Sequence, residues 1–223
     1  MSQPIRSYVT TGDVLSSISI IGVGNMASAL AGRAVAGGNT VEIIGRDPAK
    51  AHALAAARDS ATVGTSPTGD LVIVIVAVPY ASAVAAFSEY GDTLKGKVII
   101  DVTNPITRDF TGFLTPEGSS GAQEIAEAAP AGTHVVKAFN TLPCDVLAAG
   151  SVEGRPVDVS IAGDDAAAKA HVSAFIESMG MHPMDAGALP MARALEHLTL
   201  LQLGLITHSV NNTNLFLGAS ILR

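Results

Sequence analysis

Gly22, Gly24 and Ala27 are spaced as Gly-x-Gly-x-x-Ala in the run Gly22-Val23-Gly24-Asn25-Met26-Ala27. Each residue type has a chemical use at that spacing. Gly22 permits a tight turn, Gly24 lets the backbone come close to a pyrophosphate, and the small Ala27 allows the following helix to pack closely on a strand. A helix starting there aims free N–H groups and a partial positive charge at phosphate oxygens. Further along, Gly45-Arg46 is followed by Lys50, and side chains four apart lie on one helix face. A carboxylate at this point reads a ribose 2′-OH, whereas an arginine accommodates a 2′-phosphate. Arg46 with Lys50 therefore predicts NADP(H). Asp47 has two readings, acceptance from the 2′-OH or capping of the helix that Pro48 begins.

These groups are held by a strand, a glycine turn, a helix and a second strand, the unit that binds a dinucleotide. Strands are predicted at 18–22, 40–44, 71–78, 97–102 and 134–139, and helices at 25–37, 47–57, 81–90 and 121–129. Strands alternating with helices imply right-handed crossovers and an α/β, doubly wound, mainly parallel sheet covered on both faces. Residues 1–16 have no clear period and read as an arm. Residues 106–120 are one long irregular loop, either a lid or surface slack. Beyond Gly150 the pattern becomes a strand at 157–161, a helix from Asp164 to Met179 capped by Asp164, a strand at 181–185, a long apolar helix from Leu189 to His208, and a last apolar segment over 215–222. The division expected is a dinucleotide-binding domain over 1–148 and a small α+β domain over 149–223. Leucines at 195, 198, 201 and 205 make a stripe on the long helix that wants a partner, and a homodimer is predicted through it.

Ligands of open parallel sheets bind beyond the carboxyl ends of the strands. Those ends carry Gly22 to Ala27, Gly45-Arg46, Val78-Pro79-Tyr80, Thr103-Asn104-Pro105 and Asn140-Thr141-Leu142-Pro143. Pro, Asn and Thr supply fixed turns and neutral hydrogen bonds, which suit orienting an uncharged carboxamide ring. Lys137 lies within an apolar strand, and acts either electrostatically toward a ligand or as a snorkelling structural lysine. Arg193 and Glu196, three apart, read as an ion pair. The six histidines show no metal-ligand spacing, no GxSxG elbow is present, and Cys144 reads as a small buried thiol. No acid or base is assigned. Hydride transfer between nicotinamide and a flavin-type ring can run on positioning and a few hydrogen bonds, because the cofactors carry the hard chemistry.

The bulk composition is that of a globular chain. Of the 223 residues 48% are hydrophobic and only 15% charged, so a core can form without disulfides or metal. A net charge of −7 with no basic cluster argues against nucleic acid and anionic membranes. The longest apolar run, Leu71 to Val78, is too short to span a bilayer. A single cysteine and no visible signal peptide suit a reducing cytoplasm.

Taken together, the motifs resemble the NADPH-dependent reductases of the deazaflavin coenzyme F420, and the related reductase domains of STEAP-type metalloreductases. The resemblance is carried by Gly22 to Ala27, Gly45-Arg46 with Lys50, Gly112-Phe113 followed by Ala122-Gln123-Glu124-Ile125-Ala126, Val135-Val136-Lys137-Ala138-Phe139-Asn140-Thr141, and Asp185-Ala186-Gly187-Ala188-Leu189 leading to Arg193 and Glu196. It implies a Rossmann domain binding NADP and a small C-terminal domain, with the deazaflavin ring against nicotinamide in the cleft between them, usually in a dimer. The cofactor-binding set expected is Gly22, Val23, Gly24, Asn25, Met26, Ala27, Gly45, Arg46, Lys50, Val78, Pro79, Asn104, Pro105, Phe139 and Asn140, with Asn104, Asn140 and Thr141 positioning the hydride. Three features depart from the family pattern: the turn from Gly22 to Ala27 stands where the F420 enzymes usually carry a GGTGxxG-like turn, Gly45 where a Ser is usual, and Asn140 where they carry a His. The last is closer to the STEAP-like branch, whose partner is a flavin. The expected reaction is hydride transfer between NADP(H) and F420. The alternatives are an FMN, FAD, small-carbonyl or imine reductase of the same fold, and a non-catalytic NADP-sensing module.

Overall fold

Short runs of β-branched residues, buried on both faces, form the centre of the molecule. The computed structural model describes residues 16–58, 61–67 and 73–219. Strand β1 (Ser17–Ile21) leads into helix α1 (Asn25–Ala36), β2 (Thr40–Ile44), α2 (Pro48–Ala56), β3 (Ala61–Gly64), β4 (Ile73–Val76), α3 (Tyr80–Tyr90) and β5 (Val98–Asp101). Then come α4 (Gly121–Ala128), β6 (His134–Lys137), α5 (Cys144–Ala149), a small hairpin β7 (Ser151–Val152) and β8 (Arg155–Pro156), β9 (Asp158–Gly163), α6 (Ala166–Ser178), β10 (His182–Asp185) and α7 (Ala192–Leu205). All but the hairpin strands join one eight-stranded sheet in the order β10-β9-β6-β5-β4-β1-β2-β3. Every neighbouring pair is parallel except β6 with β9. This is the doubly wound α/β Rossmann architecture. Strand order reverses between β1 and β4, because the chain winds outward one way to β3 and then restarts on the other side of β1.

The period of two along each strand divides the core into two halves. Ile18, Ile20, Val41, Ile43, Ile73, Ile75, Val98 and Ile100 pack with α1, α5 and α6 on one face. Ile21, Ile44, Val74, Val76, Ile99 and Val135 pack with α3 and α4 on the other. Alanine-rich α1 lies close to the sheet through the fully buried Ala27, Ala31 and Ala34, a fit that larger side chains would prevent. β9 and β10 extend the same sheet, so the C-terminal third shares its hydrogen-bonded frame with the rest.

Several expectations need correction. Helix α6 is capped by Asp165, whose carboxylate accepts from the Ala168 N–H at 2.7 Å. Asp164 instead accepts from the distant Leu189 N–H at 2.8 Å. The stretch 189–208 is not one helix. A 3₁₀ turn covers Leu189–Met191, α7 follows, and the last turn widens to a π-helix over Ile206–Val210 that ends at Asn211, with φ +50°. Of the last apolar segment, residues 215–219 have no regular structure. β3 and α5 were not foreseen: β3 is a short edge strand of small and polar residues, and α5 is six residues long. The expected arm over residues 1–16 falls, apart from Ser16, outside the described residues, as do Leu71, Val72 and residues 220–222. Among the described residues no helix is long and apolar enough to cross a membrane.

Candidate functional site

The turn after β1 is fixed by Gly22. Its φ is +139°, and a β-carbon there would stand 2.2 Å from the Ala77 carbonyl oxygen, so no side chain can replace it without moving backbone. The Gly22 N–H donates to Ile44 O at 2.8 Å and the Ala77 N–H to Ile21 O at 2.9 Å, which ties the ends of β1, β2 and β4 together. Gly24 is the N-cap of α1. It is exposed, nothing lies within 4 Å of where its β-carbon would be, and no side chain caps the helix. Open space above a glycine, beside uncapped N–H groups, fits a phosphate that approaches the backbone.

A cavity of about 350 Å³ begins at this turn and runs outward. Gly22, Val23 and Gly24 line it from one side, Gly45, Arg46, Asp47 and Lys50 from another. Asp47 caps α2, accepting from the Lys50 N–H at 3.2 Å. Its other oxygen stands 3.7 Å from the Lys50 ammonium, an exposed pair of the weak kind. The Arg46 guanidinium makes no hydrogen bond or ion pair among the described residues. A cationic pair with one member uncommitted fits a 2′-phosphate. The far wall comes from α3 through Ser82, Ala85, Ala86, Glu89 and Tyr90, residues that the reading of strand ends missed. Their three- and four-residue spacing was a usable signal once α3 is known to face β2. Burial, and then the charge of Glu89, push the Tyr90 phenol up, with Arg46 opposing, so its hydroxyl remains a donor.

A second cavity, of about 410 Å³, shares Gly24, Ala77, Val78 and Pro79 with the first. It adds Asn25, Met26, Tyr80, Ala81, Val102, Thr103, Asn104, Ile106 and Leu114. The two cavities meet over the ends of β1 and β4 and form one groove across the point where strand order reverses. Asn104 is held by a reciprocal amide contact: its Nδ2 donates to the Asn140 carbonyl at 2.9 Å, and Asn140 Nδ2 donates to Asn104 Oδ1 at 3.0 Å. Thr199 of α7 donates to the same carbonyl at 3.1 Å. Thr103 Oγ1 and Asn140 Oδ1 are buried with no protein partner.

Beneath this end lies a buried ionic cluster. The Lys137 ammonium donates to Asp101 Oδ2 at 2.8 Å, Glu196 Oε1 at 2.7 Å and the Thr103 carbonyl at 2.5 Å. The other Glu196 oxygen accepts from the Gly121 N–H at 3.2 Å, and the other Asp101 oxygen from the Thr103 N–H at 2.8 Å. Lys137 is therefore neither snorkelling nor ligand-facing, and Glu196 pairs with it rather than with Arg193. Burial pushes the Glu196 carboxyl up, and Lys137 pulls it back. Burial raises the Tyr80 phenol, and Glu124, Glu196 and Asp101 push it the same way.

The remaining expected residues divide cleanly. Gly22, Val23, Gly24, Asn25, Met26, Gly45, Arg46, Lys50, Val78, Pro79 and Asn104 line the groove. Ala27 is in the core beneath it. Phe139, with φ +64°, is also core and meets Phe175 edge to face at 6.3 Å, so it does not face the groove. Pro105, Asn140 and Thr141 stand behind the lining; Asn140 acts on it through Asn104, and the Thr141 carbonyl accepts from Gln202 at 3.1 Å. Cys144 begins α5, and burial followed by the charge of Asp145 pushes its thiol up, away from nucleophile chemistry. The 106–120 loop is closed on itself by an Ile106–Phe113 bridge and reaches α7 through the Phe113 and His197 rings, 4.5 Å apart.

Residues 17–105 match the family model described as NADP oxidoreductase, coenzyme F420-dependent. The chain is 32% identical over 183 residues to Metalloreductase STEAP3 of Rattus norvegicus, a match covering 82% of this chain and 36% of that protein. This chain thus spans about a third of the length of that relative. It is 29% identical over 213 residues to the F420-dependent NADP reductase of Methanothermobacter marburgensis, covering 87% of this chain and 94% of the relative. Among solved structures, one described as an F420-dependent NADP-reductase from Arthrobacter superposes with a TM-score of 0.78 at 26% identity, covering 88% and 96% of the two chains.

Proposed function

We propose, from the match of residues 17–105 to the model of coenzyme F420-dependent NADP oxidoreductases and the likeness to an F420-dependent NADP reductase, that this chain transfers a hydride between NADP(H) and the deazaflavin F420. The observation that carries this reading is the continuous groove from Arg46 and Lys50, over the open Gly24 turn, to Asn104. Arg46 and Lys50 hold the 2′-phosphate, and Gly22 to Met26 with the start of α1 hold the pyrophosphate. Val78, Pro79 and Asn104 form the wall against which the reacting ring is oriented, and Asn140 fixes Asn104. Bound NADPH supplies the hydride itself.

Apolar side chains line most of the second cavity, its polar groups are the neutral amides of Asn25 and Asn104 and the hydroxyls of Thr103 and Tyr80, and Tyr80 is held protonated. Such a wall orients and excludes water but offers no strong acid or base, which suits transfer between two flat ring systems. Residues 149–223 complete the acceptor side, since α7 is joined to it by Thr199–Asn140, Glu196–Lys137 and His197–Phe113. Leu201 and Val210 stay exposed along this terminal stretch, and supply the face for a homodimer.

A second reading, reduction of FMN or FAD, is favoured by Asn140 in place of a histidine and by the likeness to STEAP3. The test is a comparison of acceptors. NADPH is mixed with F420, FMN, FAD and a simple ketone, and its near-ultraviolet absorbance is followed. Consumption with F420 well above the flavins supports the proposal. Turnover with flavins and none with F420 replaces it with the second reading. Nucleotide binding without any turnover makes the protein a sensor.

A further inference from the structure

Asp101, Lys137 and Glu196 line neither cavity, yet they are buried beside the second one, with side chains no more than 2% exposed. Two carboxyl groups share one ammonium. With both ionised the cluster holds one excess negative charge in a poorly screened place; with Glu196 protonated it is neutral. Its influence reaches the cavity by two routes. Lys137 binds the carbonyl of Thr103, whose neighbour Asn104 also lines the cavity. Tyr80, on the same wall, is pushed upward by Glu196 and Asp101 as well as by burial.

The oxidised nicotinamide ring carries a positive charge that the reduced ring lacks, while the rest of the nucleotide is unchanged. Loss of a hydride, two electrons with a proton, to a carbon of the acceptor leaves that charge on the nucleotide. A fixed negative charge beside the ring favours the oxidised form. We infer that the Asp101–Lys137–Glu196 cluster sets the preference of this site for NADP⁺ over NADPH and so biases it toward giving hydride to the acceptor. The inference rests on the reading that places the nicotinamide end of the nucleotide in the second cavity. The role is electrostatic, acting through Thr103, Asn104 and the field of Glu196. The groups facing Glu196 are Lys137 from β6, Asp101 from β5, and Tyr80 from α3, with Glu124 of α4 acting on Tyr80 beside it.

The experiment measures dissociation constants of NADP⁺, NADPH and 2′-phospho-ADP-ribose by calorimetry for the wild-type chain, Glu196→Gln and Arg46→Ala, from about pH 5.5 to about pH 9. Titration of the 2′-phosphate affects both nucleotides alike and drops out of their ratio. The expected result for Glu196→Gln is a rise of roughly fivefold in Kd(NADP⁺)/Kd(NADPH), on the scale of one partly screened charge, with 2′-phospho-ADP-ribose unmoved. In the wild type the ratio rises as pH falls and Glu196 takes up its proton; in the variant it is flat. A purely structural role shifts both nucleotides together and leaves the ratio alone. Should both nucleotides bind, with Arg46→Ala weakening both, while the ratio stays constant with pH and substitution, the inference falls and the nucleotide site stands. Should neither bind, or Arg46→Ala change nothing, the site reading falls and takes the inference with it. If Glu196→Gln does not fold, Asp101→Asn, which removes the other carboxylate of the cluster, takes its place with the same ratio as the readout.

Discussion

A β-carbon on Gly45 would stand 2.6 Å from the γ1 carbon of Val23, so the turn after β1 and the turn after β2 are packed against each other with no space for a side chain at position 45. Glycine here answers to Val23 rather than to backbone conformation. Gly45→Ser forces Val23 to shift, and overpacking of this kind costs about 1–3 kcal/mol. The expected outcome is a lower melting temperature for Gly45→Ser, with most of the loss recovered in the Val23→Ala, Gly45→Ser double variant. Thermal unfolding of the three proteins checks it, and additive losses in the double variant would show that the two turns are not coupled.

Arg46 lines the first cavity with its guanidinium uncommitted, whereas Asp47 is engaged as the cap of α2. Arg46→Ala is therefore expected to weaken NADPH by about 1–3 kcal/mol, the range for lost charge-assisted bonds, and to leave NADH almost unchanged. Titration calorimetry with both nucleotides reads the difference. Equal losses for NADPH and NADH would remove the 2′-phosphate from this end of the groove.

The parts of this site that were legible in the sequence are those governed by local rules. The glycine spacing, the Arg46 and Lys50 pair, and the Val78-Pro79 and Asn104 strand ends depend only on where strands stop, and apolar runs such as Ile73–Val76 mark that well. What escaped depends on contacts far apart in sequence. Asp164 and Asp165 are equally good caps in isolation; the choice is made because Asp164 is drawn to Leu189, 25 residues on. Glu196 sits three residues from Arg193, but a buried ammonium 59 residues earlier is the partner that burial demands. Phe139 follows a strand whose end faces the groove, and only its left-handed backbone turns the ring into the core against Phe175. The α3 wall of the first cavity needed the crossover geometry before its spacing meant anything.

Lys137 is the one cation shared by two buried carboxyl groups, Asp101 and Glu196. Lys137→Met keeps the apolar stem and removes the charge, leaving Asp101 and Glu196 face to face without compensation. Breaking a buried pair in this way costs about 3–5 kcal/mol, more than the pair itself contributes. Chemical denaturation is expected to show that loss, and adding Glu196→Gln is expected to recover part of it by removing one of the stranded charges. A single-variant loss under about 1 kcal/mol would mean that the cluster is hydrated enough to tolerate the excess charge.

Glu196 also gives the fold a pH dependence of definite sign. Burial pushes its carboxyl above the ordinary glutamate range despite the pull of Lys137. Between the unfolded and the folded pKa the native protein holds the proton that the unfolded chain has already released, so the unfolded state binds fewer protons and stability falls as pH rises. The contribution is complete below the ordinary glutamate range and is lost as pH climbs through the raised folded value. Glu196→Gln cannot titrate. The unfolding free energy of the wild type, measured against that of the variant in the same buffers, is therefore expected to decline with pH across this window, while groups common to both proteins cancel. A difference that rises with pH would place the folded carboxyl below its ordinary value and make the Lys137 attraction, rather than burial, the dominant influence on it.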